Sequence, residues 1–455
     1  MRISRLYYFT VAFLFSIGTM PTQAQPIKKS SPNVIVILAD DLGWGDITTT
    51  KQRISTPSIN KLAVEGIRLT NFHASSSLCS PTRASFLTGR YPHSVGVPDL
   101  ASPNVRGDVP IFGLSHDVVT LPQALKPLGY TSMLAGKWHL GYYKENWPRK
   151  YGFDEFWGSL IGTPNYWEVD ETYHNEDPVK VDKYFTDWIT DKSLDFIHKE
   201  KDKPFFLYLA FNAPHYPLEA PSKLVTKYRK KFPEDGLYAI YAAMVERMDY
   251  NIGRLITELN RLNILDNTLI VFTSDNGPSA ELNSYGLPGA KISRGPLNGH
   301  KFSMYEGGIR VPFIAVWPGK IPKGTERSEI AVTMDLMPTI LEAVGGKTQH
   351  SELDGISLMP LFTNQSYQRY QSLHWENIYN MAVIQGEWKL VHQFWEPEPH
   401  LFHLAKDITE KNDLAKENPS MVKELMAAHE NWVKTKYPNP IPRQKERPMH
   451  RIPLK

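Results

Sequence analysis

Four apolar runs, each ending abruptly in side chains able to carry charge or hold a ligand, constrain this chain more than any other feature. Asn33-Val34-Ile35-Val36-Ile37-Leu38 stops at Asp40-Asp41, and Tyr130-Thr131-Ser132-Met133-Leu134-Ala135 delivers Gly136-Lys137-Trp138-His139. Phe205-Phe206-Leu207-Tyr208-Leu209-Ala210-Phe211 runs into Asn212-Ala213-Pro214-His215, and Thr268-Leu269-Ile270-Val271-Phe272-Thr273 runs into Ser274-Asp275-Asn276-Gly277. Near-continuous apolar runs suit strands buried on both faces, the condition of a parallel sheet. Between them Tyr241, Met244, Val245, Met248, Ile252, Leu255, Ile256, Leu259 and Leu262 recur at helical spacing and turn one apolar stripe toward such a sheet. Strands alternating with helices of this kind define an α/β layered fold. Ligands of open α/β sheets bind beyond the carboxyl ends of the strands, so the four polar run-ends predict one shared active site. A single polar run-end is more simply a cap or turn residue; four of the same kind are not.

The other bulk properties narrow the setting. Arg2 and Arg5 precede an apolar stretch from about Leu6 to Met20 and then Thr22-Gln23-Ala24, the pattern of a secretory signal (residues 1–24) cleaved near Ala24. That stretch is shorter than the roughly 20 residues of a bilayer span. The chain is therefore expected to be exported, periplasmic or secreted, with no membrane anchor. One cysteine in 455 residues allows no internal disulfide, so stability must come from a large packed core. A net charge of +3 is too slight to imply nucleic acid, and the basic block Lys227-Tyr228-Arg229-Lys230-Lys231 reads as a solvated helix face.

Downstream, Val311-Pro312-Phe313-Ile314-Ala315-Val316 is a further apolar run, and Met334 to Val344 reads as a helix. Polar ground from Thr363 to Gln371 marks a boundary between a catalytic domain (30–365) and a smaller α+β domain (366–455). In the latter, Met381-Ala382-Val383-Ile384 and Trp388-Lys389-Leu390-Val391 are expected to pair as a hairpin around Gln385-Gly386-Glu387, and Pro419 to Lys434 to form a last helix.

The lone cysteine opens Cys79-Ser80-Pro81-Thr82-Arg83, continued as Ala84-Ser85-Phe86-Leu87-Thr88-Gly89-Arg90. This resembles the signature of the type I sulfatases, whose cysteine is converted to formylglycine. The match runs from about Val34 to Pro312. It implies an alkaline-phosphatase-like core, a large mixed and mostly parallel sheet flanked by helices. It also implies hydrolysis of sulfate monoesters, a bound Ca2+, and a formylglycine-generating or sulfatase-maturating enzyme as partner. A sugar of a sulfated poly- or oligosaccharide is the expected substrate. Read from the residues, Pro81 suits the first position of a helix and Gly89 its exit, so Thr82 to Thr88 is expected to be a short helix with Cys79 at its positive end, where a sulfate would be drawn.

Asp40, Asp41, Asp275 and Asn276 form an oxygen-only set that suits a hard cation such as calcium better than zinc. The resemblance completes that set with an oxygen of the modified Cys79, and implies that Arg83 stabilises the modified residue. Lys137 and His139 stand two apart, which on an extended segment points both side chains one way. By resemblance His139 is the base that breaks down the sulfated intermediate and Lys137 holds sulfate oxygens. His215 and Lys301 match the residues on the leaving-group side, and either could protonate the departing alcohol. Lys301 is preferred to His300 for its spacing from Tyr305-Glu306-Gly307-Gly308. Such enzymes diverge most in Leu160 to Lys183 and beyond Thr363, and no specificity residue is assigned there. Two other readings stay open: a phosphate or phosphonate monoester hydrolase of the same superfamily, and a non-catalytic binder of sulfated glycans with Cys79 unmodified.

Overall fold

Every side chain of β1 (Asn33–Ala39) is buried, and the strand lies between two parallel neighbours, β8 (Phe205–Ala210) and β9 (Thr268–Ser274). The computed structural model describes residues 31–48, 53–102, 112–279, 293–346, 352–369, 371–437, 440 and 443. The segment expected to be a signal lies outside them. Beside β8 follow β4 (Thr131–Lys137) and β5 (Glu155–Ser159), both parallel, then the short antiparallel β6 (Thr172–His174) and β7 (Asp177–Pro178). On the other side β10 (Phe313–Val316) runs antiparallel to β9 and to β2 (Ile67–Leu69), and β11 (Thr325–Arg327) closes the edge. The result is one mixed sheet of ten strands, with the pair β3 (Phe72–His73) and β12 (Ala331–Val332) outside it.

Alternation along β1 sends Val34, Val36 and Leu38 into one core layer and Ile35, Ile37 and Ala39 into the other. Each fully buried aliphatic of this kind contributes roughly 1.5–3 kcal/mol over an exposed one. One layer is roofed by helix Gly236–Arg261, whose buried residues include the expected stripe from Tyr241 to Leu259, and by helix Phe185–Glu200. The Asp235 carboxylate starts the longer helix by accepting from the Tyr238 N–H at 2.8 Å. The other layer is covered by helices Cys79–Thr88 and Leu336–Ala343. The Met334–Val344 expectation is thus met by a 3-10 turn, Thr333–Asp335, followed by a shorter α-helix.

Register decides where the run-ends emerge. Ala39 lies opposite Ser274, Leu38 opposite Ala210, and Ala210 opposite Gly136. Asp40, Lys137, Phe211 and Asp275 consequently leave the sheet at one edge.

The C-terminal hairpin forms as β14 (Asn380–Gln385) and β15 (Trp388–Gln393), and it is extended by β13 (Leu373–Glu376) and β16 (His400–His403) into a four-stranded antiparallel sheet. Helix Pro419–Lys436 packs on this sheet. From Ser31 onward the chain is one compact unit, and the Trp375 indole N–H donates to the Ala74 carbonyl at 2.8 Å across the join. Among the described residues no helix is long and apolar enough to cross a membrane.

Burial holds two imidazoles of this C-terminal contact neutral, His93 down at about 4 and His374 at about 3. His374 stacks on Trp432 and lies beside His429, which bonds Glu376. Below the ordinary value of 6.5 the unfolded chain takes protons that the folded chain refuses, so the contribution of each histidine is whole above pH 6.5 and lost as pH falls. Asp46, pushed up to about 6 by burial, and Glu410, pushed up to about 7 by burial, act in the opposite sense. A difference measurement therefore isolates the histidine. Between pH 7.5 and 5 the unfolding free energy of His374→Phe should fall by about 2 kcal/mol less than that of the wild type in urea titrations. Parallel pH profiles would refute the neutral, buried assignment.

Candidate active site

Cys79 is the first residue of a ten-residue helix, Cys79–Thr88, in which every side chain is buried. The expectation of a start at Thr82 is corrected by three residues. Pro81 sits third in the helix, where its missing N–H takes no hydrogen bond away, since the first four amides of a helix have no carbonyl partner within it. The helix closes at Gly89, whose φ of 66° is left-handed and whose N–H donates to Ser85 O at 2.9 Å.

Arg83 binds three elements together. Its Nε and Nη2 donate to Asp275 Oδ2 at 3.0 and 2.7 Å, and Nη1 donates to the Lys137 carbonyl at 2.9 Å. Nη2 also stands 3.3 Å from Asp40 Oδ2, on which the Lys137 ammonium donates a short hydrogen bond. Lys301 Nζ lies 2.8 Å from Asp41 Oδ1, 3.0 Å from Asp41 Oδ2 and 2.9 Å from His215 Nε2. His300, the alternative considered for this role, turns its Nδ1 to the Lys301 carbonyl at 2.7 Å. The His215 Nδ1–H donates to the Tyr216 carbonyl, so Nε2 is the acceptor that faces Lys301.

His139 does not follow from extended geometry. Strand β4 ends at Lys137, and His139 has a φ of 59°, so the same-side argument from spacing does not apply. Its orientation comes from elsewhere: Nε2–H donates to the Ala101 carbonyl at 2.9 Å, and Nδ1 is buried with no hydrogen-bond partner. Because a carbonyl only accepts, the tautomer is set and Nδ1 keeps its lone pair. Burial, then the charges of Lys137 and Arg83, hold this imidazole well below its ordinary value.

The acid cluster has the make-up of a cation site. Ligand oxygens of Asp40, Asp41 and Asp275 lie within 4.8 Å of one another, and the Cys79 Sγ, an Asp40 oxygen and a His215 nitrogen form a second group within the same distance. Asp40 Oδ1 and Asn276 Oδ1 are buried without any hydrogen-bond partner. The Asn276 amide is oriented by donating to Asp41 Oδ1 at 2.6 Å and to Gly277 O at 2.9 Å. Burial and the neighbouring charge of Asp40 push Asp275 up to about 7 despite Arg83 and Lys137. For Asp40 burial acts upward, but Lys137 and the other cations outweigh it and hold the carboxyl below the usual range. Crowded acids with unsatisfied oxygens and no soft donor among them fit a hard divalent ion.

Comparison with known proteins decides the family. The sulfatase family model matches residues 32–346. The chain belongs to the sulfatase family. A second model, described as N-sulphoglucosamine sulphohydrolase, C-terminal, matches residues 299–435 of this sulfatase. It is 33% identical to the human N-acetylgalactosamine-6-sulfatase over 80% of this chain and 72% of that one. It is 30% identical to an uncharacterized sulfatase of Schizosaccharomyces pombe over 89% and 93% of the two chains. The crystal structure of Ps i-CgsB in complex with k-i-k-neocarrahexaose is similar at a TM-score of 0.80 and 31% identity, covering 90% of this chain and 94% of that one.

Two positions that matter to the site carried no legible signal in the sequence. Ala101 contributes only a carbonyl, which any residue possesses. Gly162 lies against the His139 ring, where an added Cβ would stand 2.4 Å from Cε1 and Nε2. Its requirement is for vacant space, which a sequence shows only as one more loop glycine. Gly162→Ala should therefore displace the imidazole and lower kcat on an aryl sulfate by about 10²-fold with little change in thermal midpoint. Unaltered turnover in that variant would show that the ring tolerates movement.

Proposed function

We propose that this sulfatase is an exported, calcium-dependent enzyme that removes sulfate from a sugar of a sulfated oligo- or polysaccharide, with formylglycine at position 79. The observation that carries the reading is the seat of Cys79, at the positive end of a buried helix, its sulfur grouped with Asp40 and His215 beside the three-carboxylate cluster. As a thiol this group is ill suited to attack, since burial pushes its ionisation up further than Lys137 and Lys301 pull it down. The names of its relatives support a carbohydrate ester: one is an N-acetylgalactosamine-6-sulfatase, and another is in complex with k-i-k-neocarrahexaose. The secretory pattern at residues 1–24 supports export.

Asp40, Asp41, Asp275 and Asn276 would hold the calcium, which when bound supplies positive charge against the sulfate oxygens and residue 79. Formylglycine, hydrated at residue 79, would supply an oxygen nucleophile for sulfur and a second hydroxyl to assist the later release of sulfate. The remaining work falls to the chain's own groups. Lys137 and Lys301 present ammonium donors to equatorial sulfate oxygens, and Arg83 holds the hydroxyl-bearing end of the helix in place. His215 and Lys301 share a hydrogen bond, a pairing that supports the role of either in giving a proton to the departing alcohol. His139 receives a proton at Nδ1, the nitrogen that its bond to Ala101 leaves open.

Five measurements test this. Peptide mass spectrometry across Leu78–Arg83 should find the aldehyde rather than the thiol, and Cys79→Ala should lose roughly 10³-fold or more in kcat while keeping the fold. Full activity from protein carrying only the thiol sinks the reading. Asn276→Ala changes no charge, so a loss of calcium affinity of about tenfold or more by equilibrium dialysis would report ligation directly; unchanged affinity removes Asn276 from the set. Steady-state rates on sulfate and phosphate esters of one alcohol should favour sulfate, and inorganic sulfate release from defined sulfated oligosaccharides should identify the sugar.

A further inference from the structure

Glu306 takes no part in the chemistry set out above, yet both of its carboxylate oxygens are engaged at complete burial. Lys389 Nζ donates to Oε1 at 2.7 Å, while His73 Nε2 and Arg310 Nη1 stand 3.1 and 3.0 Å from Oε2. Lys389 comes from β15 of the C-terminal sheet and is itself fully buried. It also faces Glu410 Oε1 at 2.8 Å, and Glu410 Oε2 accepts from the Glu306 backbone N–H at 2.7 Å. Two residues of the C-terminal part of the chain thus grip Glu306, one by its side chain and one by its backbone.

What they grip is the frame of Lys301. Gly307 N–H donates to Asn298 O at 2.5 Å and closes the segment on itself. A Cβ at Gly308 would stand 2.0 Å from Ser303 O and 2.6 Å from His300 O, so the backbone after Glu306 lies directly on the carbonyl that precedes Lys301 and on that of Ser303, two residues after it. Lys301 N–H donates to Pro278 O at 3.0 Å, and Gly277 N–H donates to Gly308 O at 2.9 Å, joining the same frame to Asp275 and Asn276. Close-packed backbone transmits displacement because it has no slack to absorb it. Docking alone does not require this arrangement: an apolar pair would hold the sheet without desolvating two acids and two cations.

We propose that Lys389 is a positioning residue for the sulfatase reaction, setting through Glu306 where the Lys301 ammonium stands relative to Asp41 and His215. The proposal rests on the reading of Lys301 as a leaving-group-side residue. A group that only stabilises the fold lowers the rate on all esters alike, whereas misplacing a proton donor penalises poor leaving groups most. The full-length enzyme, its modification at residue 79 verified by peptide mass, is assayed on aryl sulfates whose phenols span a wide range of acidity. Lys389→Met should lose about 10²-fold in kcat/KM on the least acidic phenols and only a few-fold on nitrophenyl sulfate, a steepening in the direction given by Lys301→Ala. Lys389→Arg should restore most of the wild-type slope. Should Lys389→Met fail to accumulate folded, Lys389→Met/Glu410→Gln leaves Glu306 balanced by Arg310 and must show the same steepening. A uniform loss across the series, or none, overturns the proposal while a steep Lys301→Ala series keeps the reading of Lys301. A flat Lys301→Ala series overturns both together.

Discussion

A guanidinium with no solvent contact holds this active site in shape. Arg83 reaches from the cysteine helix to the end of β9 through Asp275 and to the end of β4 through the Lys137 carbonyl, with Asp40 at the end of β1 close by. A buried charge of this kind is stable only when each of its donors is met, and here the partners are the polar ends of separate strands. The planar fork matters as much as the charge. An ammonium in the same place could not satisfy a carboxylate with two donors and a carbonyl with a third.

Once Arg83 is fixed, the other charges have few arrangements open to them. Three carboxylates converge within 4.8 Å, a density that burial alone penalises heavily. Lys137 pairs with Asp40 and Lys301 with Asp41, so two of the three acids are offset by buried ammonium groups. His139 and His215 contribute in a different way. Each has one ring nitrogen bonded to a backbone carbonyl, which selects its tautomer and leaves the other as an acceptor, met by the Lys301 ammonium in His215 and unpartnered in His139.

The sequence exposed the parts of this plan that depend on side-chain type. Runs such as Val34 to Leu38 and Leu269 to Thr273 suit strands buried on both faces, and their polar ends meet because parallel strands in register end on the same side of the sheet. The Cys79 signature and the stripe from Tyr241 to Leu259 were equally plain. What stayed hidden depends on backbone or on space. The left-handed turn at His139, the carbonyl of Ala101 and the missing Cβ of Gly162 leave no mark in residue type. Strands β5, β6 and β7 run through the aromatic stretch near Trp157 to Pro178 as short pieces with mixed polarity, only β7 at the sheet edge, and their pattern is too brief to show a period of two. β13 and β16 were missed for a related reason: their sequences, Leu373-His374-Trp375-Glu376 and His400-Leu401-Phe402-His403, carry polar groups that are buried or half-buried, so residue type does not alternate between a wet and a dry face.

Those buried polar groups bear on why the C-terminal sheet is joined as it is. Its contact with the rest of the molecule contains a large apolar cluster, with Trp375, Trp432, Met304 and Val332 among its members, which suffices for adhesion. Set into that cluster are Lys389 with Glu306 and Glu410, and His429 with Glu376. Apolar contact is non-directional and tolerates sliding by a fraction of an ångström, whereas ion pairs and hydrogen bonds at full burial have one geometry each. The apolar residues determine that the two parts associate, and the polar ones determine the register in which they do so. That register also fixes the segment between Asn298 and Gly308, which carries Lys301 and whose Glu306 is held by Lys389 and Glu410.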